Sequence, residues 1–262
     1  MKFTTVFTAL TLAEAALGAR FTEQRRERNA KRLAERGISR QTNPLIPVDN
    51  EVVEGLAIDN QTQVSYSSNW AGAVLIGTGY KAVTGTFVVP TPSAASAWVG
   101  IDGDTASNSI LQTGVDFYVE GSQVSFDAWY EWYPDYAYTF SGITISAGDT
   151  ITVTVTATST TGGTAVVKNV STGKSVTHTF TGQSQALQEL NAEWIVEDFS
   201  SGGSLVPFAD FGSVTFTNAY ATTSSGTVGV SGAEIIDIKQ SNKVLTDVTI
   251  DSSSEVTITY TG

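Results

Sequence analysis

Strict alternation of polar and apolar residues is the feature that most limits how this chain can fold. The clearest run is Ile-Thr-Val-Thr-Val-Thr-Ala-Thr at 151–158, in which every second residue is apolar. A strand places successive side chains on opposite faces, so this run predicts a β-strand with one buried face. Similar runs, separated by Gly, Ser, Asn and Asp, lie at 165–170, 213–218, 228–238, 244–250 and 255–260. No long amphipathic helix interrupts them, so residues 61–262 are predicted to form an all-β sandwich or barrel of about a dozen strands.

The cysteine and histidine content excludes several kinds of catalytic site. The 262 residues include no Cys and a single His, His178. Without Cys there is no thiol nucleophile, disulfide, Cys-ligated zinc or iron–sulfur cluster. One His excludes a cluster of His metal ligands, and a Ser-His-Asp triad would have to use it. Because His178 lies in an alternating run without an acidic neighbour, we expect a surface position rather than a catalytic base.

Acidic residues dominate the strand-forming part of the chain. Residues 60–262 carry 18 Asp and Glu against 5 Lys and Arg, whereas residues 1–59 carry 8 against 9. A strongly acidic surface repels nucleic acid and anionic membranes. We therefore expect neither nucleic acid nor a membrane as a partner, and we expect the protein to be a monomer.

The first 60 residues are predicted to lie outside this domain. Residues 1–19 combine Lys2, a short apolar stretch and a small-residue end, which is typical of a secretory signal peptide. Residues 20–40 hold 8 basic and 3 acidic residues and are predicted to form a charged helix. We interpret residues 20–60 as a basic pro-segment that binds the acidic domain as an intramolecular inhibitor, with a hold that acid weakens. The protein is then secreted and extracellular, with its functional domain at 61–262.

Trp and acidic residues concentrate in four segments whose side chains can be sorted by strand parity. In each segment one face carries a carboxylate or an amide. These faces are Trp98, Gly100 and Asp102; Gln112, Gly114 and Asp116; Trp129, Glu131 and Tyr133; and Glu193, Ile195 and Glu197. If the four faces line one sheet, they form an aromatic-walled cleft that suits an extended polymer, either a polypeptide or a polysaccharide. Crowded carboxylates repel one another, which keeps some of them protonated and supplies acid and base roles.

Five short motifs follow one another along residues 68–199. They are Ser-Asn-Trp-Ala-Gly at 68–72, Ala-Trp-Val-Gly-Ile-Asp-Gly-Asp at 97–104, Ile-Leu-Gln-Thr-Gly at 110–114, Trp-Tyr-Glu-Trp-Tyr-Pro at 129–134 and Asn-Ala-Glu-Trp-Ile-Val-Glu-Asp-Phe at 191–199. From about Tyr66 to the C-terminus, the chain resembles the glutamic peptidases, the eqolisin family. The resemblance implies a β-sandwich of two long antiparallel sheets, of the concanavalin/lectin-like jelly-roll type. It also implies a secreted, acid-active endopeptidase that acts on polypeptides, is insensitive to pepstatin and uses no cofactor or metal.

The resemblance also implies roles for individual residues. The family's Gln/Glu catalytic dyad falls on Gln112 and Glu193. Its cleft residues, implied to bind substrate, fall on Trp98, Asp102, Asp116, Trp129, Glu131 and Tyr133. A Glu193 carboxylate can take a proton from a water that attacks the scissile carbonyl directly. The Gln112 amide can donate a hydrogen bond to the developing oxyanion, so no covalent intermediate is needed.

A second function class stays open at this stage. Many sugar-binding clefts are Trp-lined β-sandwiches with two Glu residues. The pattern therefore also fits a glycoside hydrolase that uses Glu131 and Glu193, or a non-catalytic sugar-binding module. Gln112 favours the peptidase, because a glycosidase has no obvious need for it.

Two Asn residues lie in glycosylation acceptor triplets. Asn60 in Asn-Gln-Thr would be removed if it belongs to the pro-segment, so Asn169 in Asn-Val-Ser is the better candidate.

Overall fold

The computed structural model describes residues 40–48, 64–90, 95–120, 123–201, 204–205 and 208–262. Within these ranges the chain forms twenty β-strands and no helix. The first ten are β1 (Arg40–Gln41), β2 (Val64–Ser67), β3 (Trp70–Ile76), β4 (Tyr80–Val88), β5 (Ala95–Ile101), β6 (Ile110–Glu120), β7 (Gln123–Tyr133), β8 (Tyr138–Thr139), β9 (Thr150–Ser159) and β10 (Gly162–Asn169). The others are β11 (Lys174–Phe180), β12 (Asn191–Glu197), β13 (Ser200–Ser201), β14 (Ser204–Leu205), β15 (Ser213–Thr223), β16 (Gly226–Gly229), β17 (Glu234–Gln240), β18 (Lys243–Val244), β19 (Thr246–Ser252) and β20 (Glu255–Tyr260). Among the described residues, no helix is long and apolar enough to span a membrane.

Two large sheets contain most of these strands. The eight-stranded sheet has the order β11-β10-β9-β4-β15-β20-β19, with β16 paired to β15. The nine-stranded sheet has the order β18-β17-β3-β12-β5-β6-β7-β8, with β2 added to β17 in parallel. A small third sheet has the order β1-β13-β14. The prediction of an all-β sandwich built on two long sheets is confirmed, with one parallel pair that alternation could not show.

The core between the two large sheets is built from alternating strand positions. The apolar residues of β9, at 151–157, are buried, whereas the intervening Thr side chains are partly exposed. On the outer surface, Thr154 shares a 2.8 Å hydrogen bond with Thr84, and Thr152 shares one of 2.8 Å with Thr86. The β-branched side chains thus fill the core on one face and pair across strands on the other.

A second apolar cluster lies on the opposite face of the nine-stranded sheet. Its members are Trp70, Val74, Trp98, Ile110, Trp129, Ala137, Ile195 and Ile236, with Leu45 and Tyr133 packed against it. Their strand neighbours, such as Val99 and Trp194, belong to the main core. Strand parity places Gln112 and Glu193 with the second cluster, and we call this face of the nine-stranded sheet the site face.

Several predictions for the N-terminal region lie outside the described residues. These are the signal peptide at 1–19, the helix at 20–39, most of the pro-segment and the Asn60 acceptor. Of the pro-segment, residues 40–48 are described. Arg40, the last residue of the segment predicted to be a charged helix, instead lies in β1 and pairs with Ser201, while its carbonyl accepts from the Ala137 amide. The helix prediction is wrong at this residue because tertiary pairing overrides a local charge pattern.

The predicted glycan acceptor Asn169 has a structural role in the folded chain. Asn169 is fully buried at the end of β10. Its Nδ2 donates to the Thr144 carbonyl at 3.0 Å and to Asp149 Oδ2 at 2.8 Å, and its Oδ1 accepts from the Thr172 amide. These bonds stabilise the turn, and a glycan on this nitrogen stays a prediction.

Candidate active site

Four adjacent strands align the candidate catalytic residues in a single row. The register pairs Glu193 of β12 with Gly100 of β5, and Gly100 with Gln112 of β6. Gln112 in turn pairs with Glu131 of β7. Residues paired across antiparallel strands present their side chains on the same face. The structure therefore brings Gln112, Glu131 and Glu193 together on the site face, as strand parity predicts.

Gly100 allows the two candidate dyad residues, Gln112 and Glu193, to approach each other across β5. A Cβ at this position would lie 2.6 Å from Glu193 Oε1, 2.8 Å from the Trp98 ring and 3.4 Å from Gln112 Cβ. Real Cβ atoms essentially never come within 3.0 Å of a heavy atom outside their own residue and its chain neighbours. The Glu193 carboxylate consequently occupies space that exists only because residue 100 has no side chain.

The two candidate dyad side chains are buried and have unused hydrogen-bonding capacity. Gln112 and Glu193 are both fully buried. In the described part of the chain, Gln112 Oε1 and Nε2 and both Glu193 carboxylate oxygens have no hydrogen-bond partner. Burial, with smaller contributions from the charges of Asp102 and Asp104, raises the pKa of Glu193 well above its ordinary value. Unpaired buried polar groups are rare in native proteins, and they point to a site that receives water or a ligand.

Two Trp residues form the next row along the strands. Trp98 pairs with Gly114 of β6, and Gly114 pairs with Trp129 of β7. A Cβ on Gly114 would lie 2.5 Å from Trp98 Cβ, so the absence of a side chain at residue 114 leaves room for the side chain of Trp98. The Trp98 Nε1 donates to Glu197 Oε2 at 3.0 Å, and the Trp129 Nε1 donates to Ser96 Oγ at 3.1 Å. These bonds fix the orientation of both rings.

A cage of oxygen atoms holds the guanidinium of Arg40. Arg40 Nε and Nη2 donate to the two carboxylate oxygens of Asp116 at 2.6 and 2.8 Å. Nη1 lies 3.4 Å from Glu131 Oε2, and Nη2 also donates to Ser96 Oγ at 3.1 Å. The guanidinium carbon lies 3.8 Å from the centre of the Trp129 ring. A fork-shaped cation paired with a carboxylate and stacked on an indole is the arrangement that arginine suits best.

Burial dominates the electrostatics of this cage. It raises the pKa of Glu131 to about 8, although the charge of Arg40 and hydrogen bonds from Thr42 lower it. Burial also raises the pKa of Glu197 well above its ordinary value, although the Arg40 charge and the hydrogen bond from the Asn43 amide lower it. For Arg40 itself, burial lowers the pKa, but Asp116 and Glu131 more than offset this. The guanidinium therefore stays charged, while the protonated forms of Glu131 and Glu197 are favoured.

Asp102 lies just beyond the end of β5, where its carboxylate binds backbone amides. It was expected among the substrate-binding residues, but it follows β5 with a positive φ of 69°. Its carboxylate accepts backbone N–H bonds from residues 188–191 at 2.6–3.3 Å. Both oxygens are therefore engaged by the segment that leads into β12. In this geometry Asp102 holds the backbone that leads to Glu193, and its contact with substrate stays a prediction.

The remaining predicted residue, Tyr133, is half-buried against the second cluster and pairs with Ile110. Strand parity already places Glu197 on the face of Glu193, but sequence reasoning missed Ser96, which also contacts an indole of the site face. Ser96 shares the parity of Trp98 on β5, so strand parity could have placed Ser96 on this face as well.

His178 takes no part in this site. It lies half-buried on β11 of the eight-stranded sheet, with its ring 3.9 Å from that of Tyr130 and nearly parallel to it. Burial lowers the pKa of the imidazole. The expectation that His178 is not a catalytic base agrees with this position.

Comparison with known proteins places this geometry in a family. Residues 68–260, which contain β3–β20 and the whole row of candidate catalytic residues, match the Peptidase A4 family. The chain belongs to the Peptidase A4 family. This A4 peptidase is thus a hydrolase, and the predicted resemblance to the eqolisins is confirmed. The family match also decides against a carbohydrate-active protein.

Similar proteins cover nearly all of the A4 peptidase chain. It is 54% identical to Aspergillopepsin-2 of Aspergillus niger, over 99% of this chain and 100% of that protein. It is 41% identical to Scytalidopepsin B of Scytalidium lignicola, again over 99% and 100%. A crystal structure of scytalido-glutamic peptidase with a transition state analog inhibitor aligns with a TM-score of 0.69 and 43% identity, covering 74% of this chain and 98% of that one. These similarities show a glutamic endopeptidase with the eqolisin fold.

Proposed function

We propose that this glutamic endopeptidase is secreted, acts in acid, resists pepstatin and uses Gln112 and Glu193 as its catalytic dyad. The observation that carries the proposal is the pair of buried side chains over Gly100, with four polar atoms that no described group satisfies. In this arrangement the carboxylate can accept a proton. The amide N–H can donate a hydrogen bond, and the amide oxygen can accept one from a water molecule and so orient it. That set is sufficient for direct attack of water on a peptide carbonyl.

The first chemical step is proton transfer from water to Glu193. The water oxygen forms a bond to the scissile carbonyl carbon while its proton passes to the Glu193 carboxylate. The carbonyl oxygen becomes an oxyanion and accepts a hydrogen bond from Gln112 Nε2. The Gln112 Oε1 accepts from the attacking water and so orients it.

The second step returns that proton to the substrate. Glu193, now a carboxylic acid, donates to the peptide nitrogen as the carbon–nitrogen bond breaks, which restores the carboxylate and releases both products. Burial raises the pKa of Glu193, so the side chain is a ready acid in an enclosed site. Water entering an open site hydrates the carboxylate and lowers its pKa toward the ordinary value of about 4, which supplies the base.

Pepstatin resistance is proposed from the number of acting carboxylates. Pepsin-type sites use two Asp carboxylates that share one proton. Here Glu193 lies beside an amide, and the sequence contains neither Asp-Thr-Gly nor Asp-Ser-Gly. An inhibitor that depends on such a pair has no matching partner at this dyad.

We further propose that residues 1–19 direct secretion and that residues 20–60 form an inhibitory pro-segment of a monomeric enzyme. The support for inhibition is that Arg40, inside this segment, is buried among Asp116, Glu131 and Ser96 on the site face. A guanidinium in that position competes with any polypeptide for the same groups. Acid that protonates carboxylates of the acidic domain lowers its negative charge, which weakens the hold on the basic pro-segment and allows activation.

Digestion of an unfolded protein at pH about 3–4, near the carboxylate reference pKa, tests the dyad. The samples are acid-treated wild type, Gln112→Ala and Glu193→Gln, each with pepstatin present and each checked for folding by circular dichroism. Matched controls are Gln185→Ala, which changes an exposed amide, and Glu255→Gln, which changes a carboxylate on the eight-stranded sheet. We expect wild type and both controls to cleave, and we expect Gln112→Ala to lose about 100-fold or more in kcat.

Two results would contradict the proposal in different ways. Inactive but folded wild type would remove the peptidase assignment in acid. Cleavage that survives in both dyad variants would leave a peptidase whose catalytic residues lie elsewhere.

A further inference from the structure

Glu131 lies directly beside Gln112 on the site face. The two residues are register partners on the antiparallel strands β6 and β7, and both are fully buried. Partners of this kind have Cβ atoms about 4.5–5.5 Å apart, so the ends of two long side chains can come within hydrogen-bonding distance. The other positions next to Gln112 offer no polar side chain, since they are Ile110 and Gly114 along β6 and Gly100 across on β5. Glu131 is therefore the polar group best placed to act on the Gln112 amide.

The Gln112 amide needs a partner that fixes its orientation. An amide presents a donor on one side and an acceptor on the other, and the last torsion of a Gln side chain is soft. Nε2 must face the developing oxyanion in the proposed reaction, whereas an amide turned over would put its oxygen there and repel the charge. Neither Nε2 nor Oε1 has a hydrogen-bond partner in the described part of the chain. No bond among these residues therefore selects one orientation.

The unpaired atoms indicate which orientation Glu131 can select. One Glu131 oxygen, Oε2, accepts from the Thr42 amide at 3.2 Å and lies 3.4 Å from Arg40 Nη1. The other oxygen, Oε1, is buried and has no hydrogen-bond partner among the described residues. Gln112 Nε2 does not donate to it, which leaves Nε2 available to an oxyanion. The oxygens Glu131 Oε1 and Gln112 Oε1 remain, and only a proton carried by the carboxyl group can join them.

Glu131 carries that proton under acid conditions. A Glu carboxyl group in water is half protonated near pH about 4. Burial raises the pKa of Glu131 to about 8, although the Arg40 charge and hydrogen bonds from Thr42 lower it, and the charge of Asp116 adds to the rise. At pH about 3–4 the side chain is thus a neutral acid with one O–H donor.

We infer that Glu131 is a positioning residue for catalysis, whose carboxyl O–H donates to Gln112 Oε1 and so turns the amide nitrogen toward the oxyanion. This inference rests on the proposed dyad and adds what orients its amide. The amide oxygen has two lone pairs, so it can accept from Glu131 and still accept from the attacking water. The bond uses only one Glu131 oxygen, so it can form whether or not Oε2 accepts from the Thr42 amide.

Steady-state kinetics at pH about 3.5 test this role in the acid-activated enzyme, with each variant checked for folding by circular dichroism. Glu131→Leu removes the donor, and we expect kcat to fall at least about 10-fold while KM stays within about 3-fold of wild type. Glu131→Gln restores an N–H donor to the same oxygen, and we expect kcat within about 3-fold of wild type. Glu255→Leu, on the eight-stranded sheet, is the control for loss of a carboxyl group.

Two kinetic results would overturn the inference. A higher KM at unchanged kcat in Glu131→Leu would show that Glu131 contacts the substrate rather than the amide. Equal losses of kcat in Glu131→Leu and Glu131→Gln would show that a donor at this position is not what catalysis needs.

A double-mutant cycle shows whether Glu131 acts through Gln112. In the Gln112→Ala background there is no amide to orient, so we expect Glu131→Leu to change kcat by less than about 2-fold. A further loss of about 10-fold there would show that Glu131 acts on its own, against the inference. If Gln112→Ala alone leaves kcat unchanged, the proposed dyad fails instead.

Nuclear magnetic resonance of the Gln112 side-chain amide tests the bond without any need for activity. The full-length Glu193→Gln chain is prepared with isotope-labelled Gln side chains, and the Gln112 signals are assigned by their loss in Gln112→Ala. We expect these signals to move between pH about 3 and about 8 as Glu131 loses its proton, and to move much less once Glu131→Gln is added. Equal movement in both chains would overturn the inference even where Glu131→Leu does not fold.

Discussion

The Glu193 carboxylate rests directly on Gly100, with Oε1 only 2.6 Å from the point that a Cβ of residue 100 would occupy. Gly100→Ala should therefore push the carboxylate away from Gln112 and lower kcat by about 100-fold or more, the effect of a displacement near 1 Å at a catalytic group. Steady-state kinetics with a peptide substrate measure this loss. Gly162→Ala is the control, because a Cβ there would meet nothing closer than 3.2 Å. Unchanged kcat in a folded Gly100→Ala enzyme would contradict the placement of the dyad.

Asp102 should matter for both stability and turnover. Its carboxylate accepts N–H bonds from residues 188–191 just before the strand that carries Glu193. Asp102→Asn puts an NH₂ group against backbone donors, and we expect a loss of about 3 kcal/mol in the free energy of unfolding. Denaturant unfolding measures this loss, and kcat should fall at the same time because the entry to β12 is loosened. The exposed Asp247→Asn change should cost less than about 0.5 kcal/mol.

The buried carboxyl groups predict a protein that is most stable in acid. Burial raises the pKa of Glu131 to about 8, of Asp198 to about 7 and of Asp237 to about 6, and it raises those of Glu193 and Glu197 as well. In the unfolded chain these groups titrate near 4, so the folded state binds more protons between about pH 4 and 8. Their stabilising contribution is fully present below pH about 4 and is lost as the pH rises through the folded values.

Thermal unfolding followed from pH 3 to 8 measures this dependence. We expect Tm to fall steadily above pH about 4. The slope of the free energy of unfolding against pH gives the number of protons released on unfolding, and we expect Asp198→Asn to lower that number by about one between pH 4 and 7. The amide of Asn can still accept the bond that Gln240 donates to Asp198. A Tm that rises toward neutral pH would contradict the assignment of these groups as buried acids.

Glu197 offers a test of protonation at the site face. Burial raises its pKa well above the ordinary value, so the side chain is neutral in acid. A glutamine is then a close mimic that can still accept from Trp98 Nε1. We expect kcat/KM of Glu197→Gln at pH about 3.5 to stay within about 3-fold of wild type. Glu197→Leu, which cannot accept the indole N–H, should lose about 10-fold or more. Equal loss in both variants would show that the charge of Glu197 is needed.

The strands were predictable where one face is buried and the other is exposed. The Thr/Val alternation of β9 and the parity of Gln112 and Glu193 both follow from a two-residue period. Parity is no guide at Asp102 because the residue lies beyond the end of β5 with a positive φ, where the alternation of a strand no longer applies. It thus groups side chains reliably only inside a strand.

The contacts of Arg40 and the burial of Asn169 could not be predicted from local sequence. The charge opposition between the pro-segment and the domain was visible, but eight basic residues share it, and only the fold selects Arg40 for Asp116. The Asn-Val-Ser triplet at Asn169 is a local pattern, whereas its burial depends on Thr144 and Asp149, which precede it by 25 and 20 residues. Both outcomes depend on long-range packing.

The paired threonines of the eight-stranded sheet have a consequence for the whole molecule. The hydroxyl bonds that join Thr84 to Thr154 and Thr86 to Thr152 involve no group that gains or loses a proton in water at any ordinary pH. The carboxyl groups of the dyad and of the Arg40 cage all lie on the other sheet. A change of pH can therefore alter the contacts on the site face of the nine-stranded sheet, while the threonine hydrogen bonds of the eight-stranded sheet remain the same.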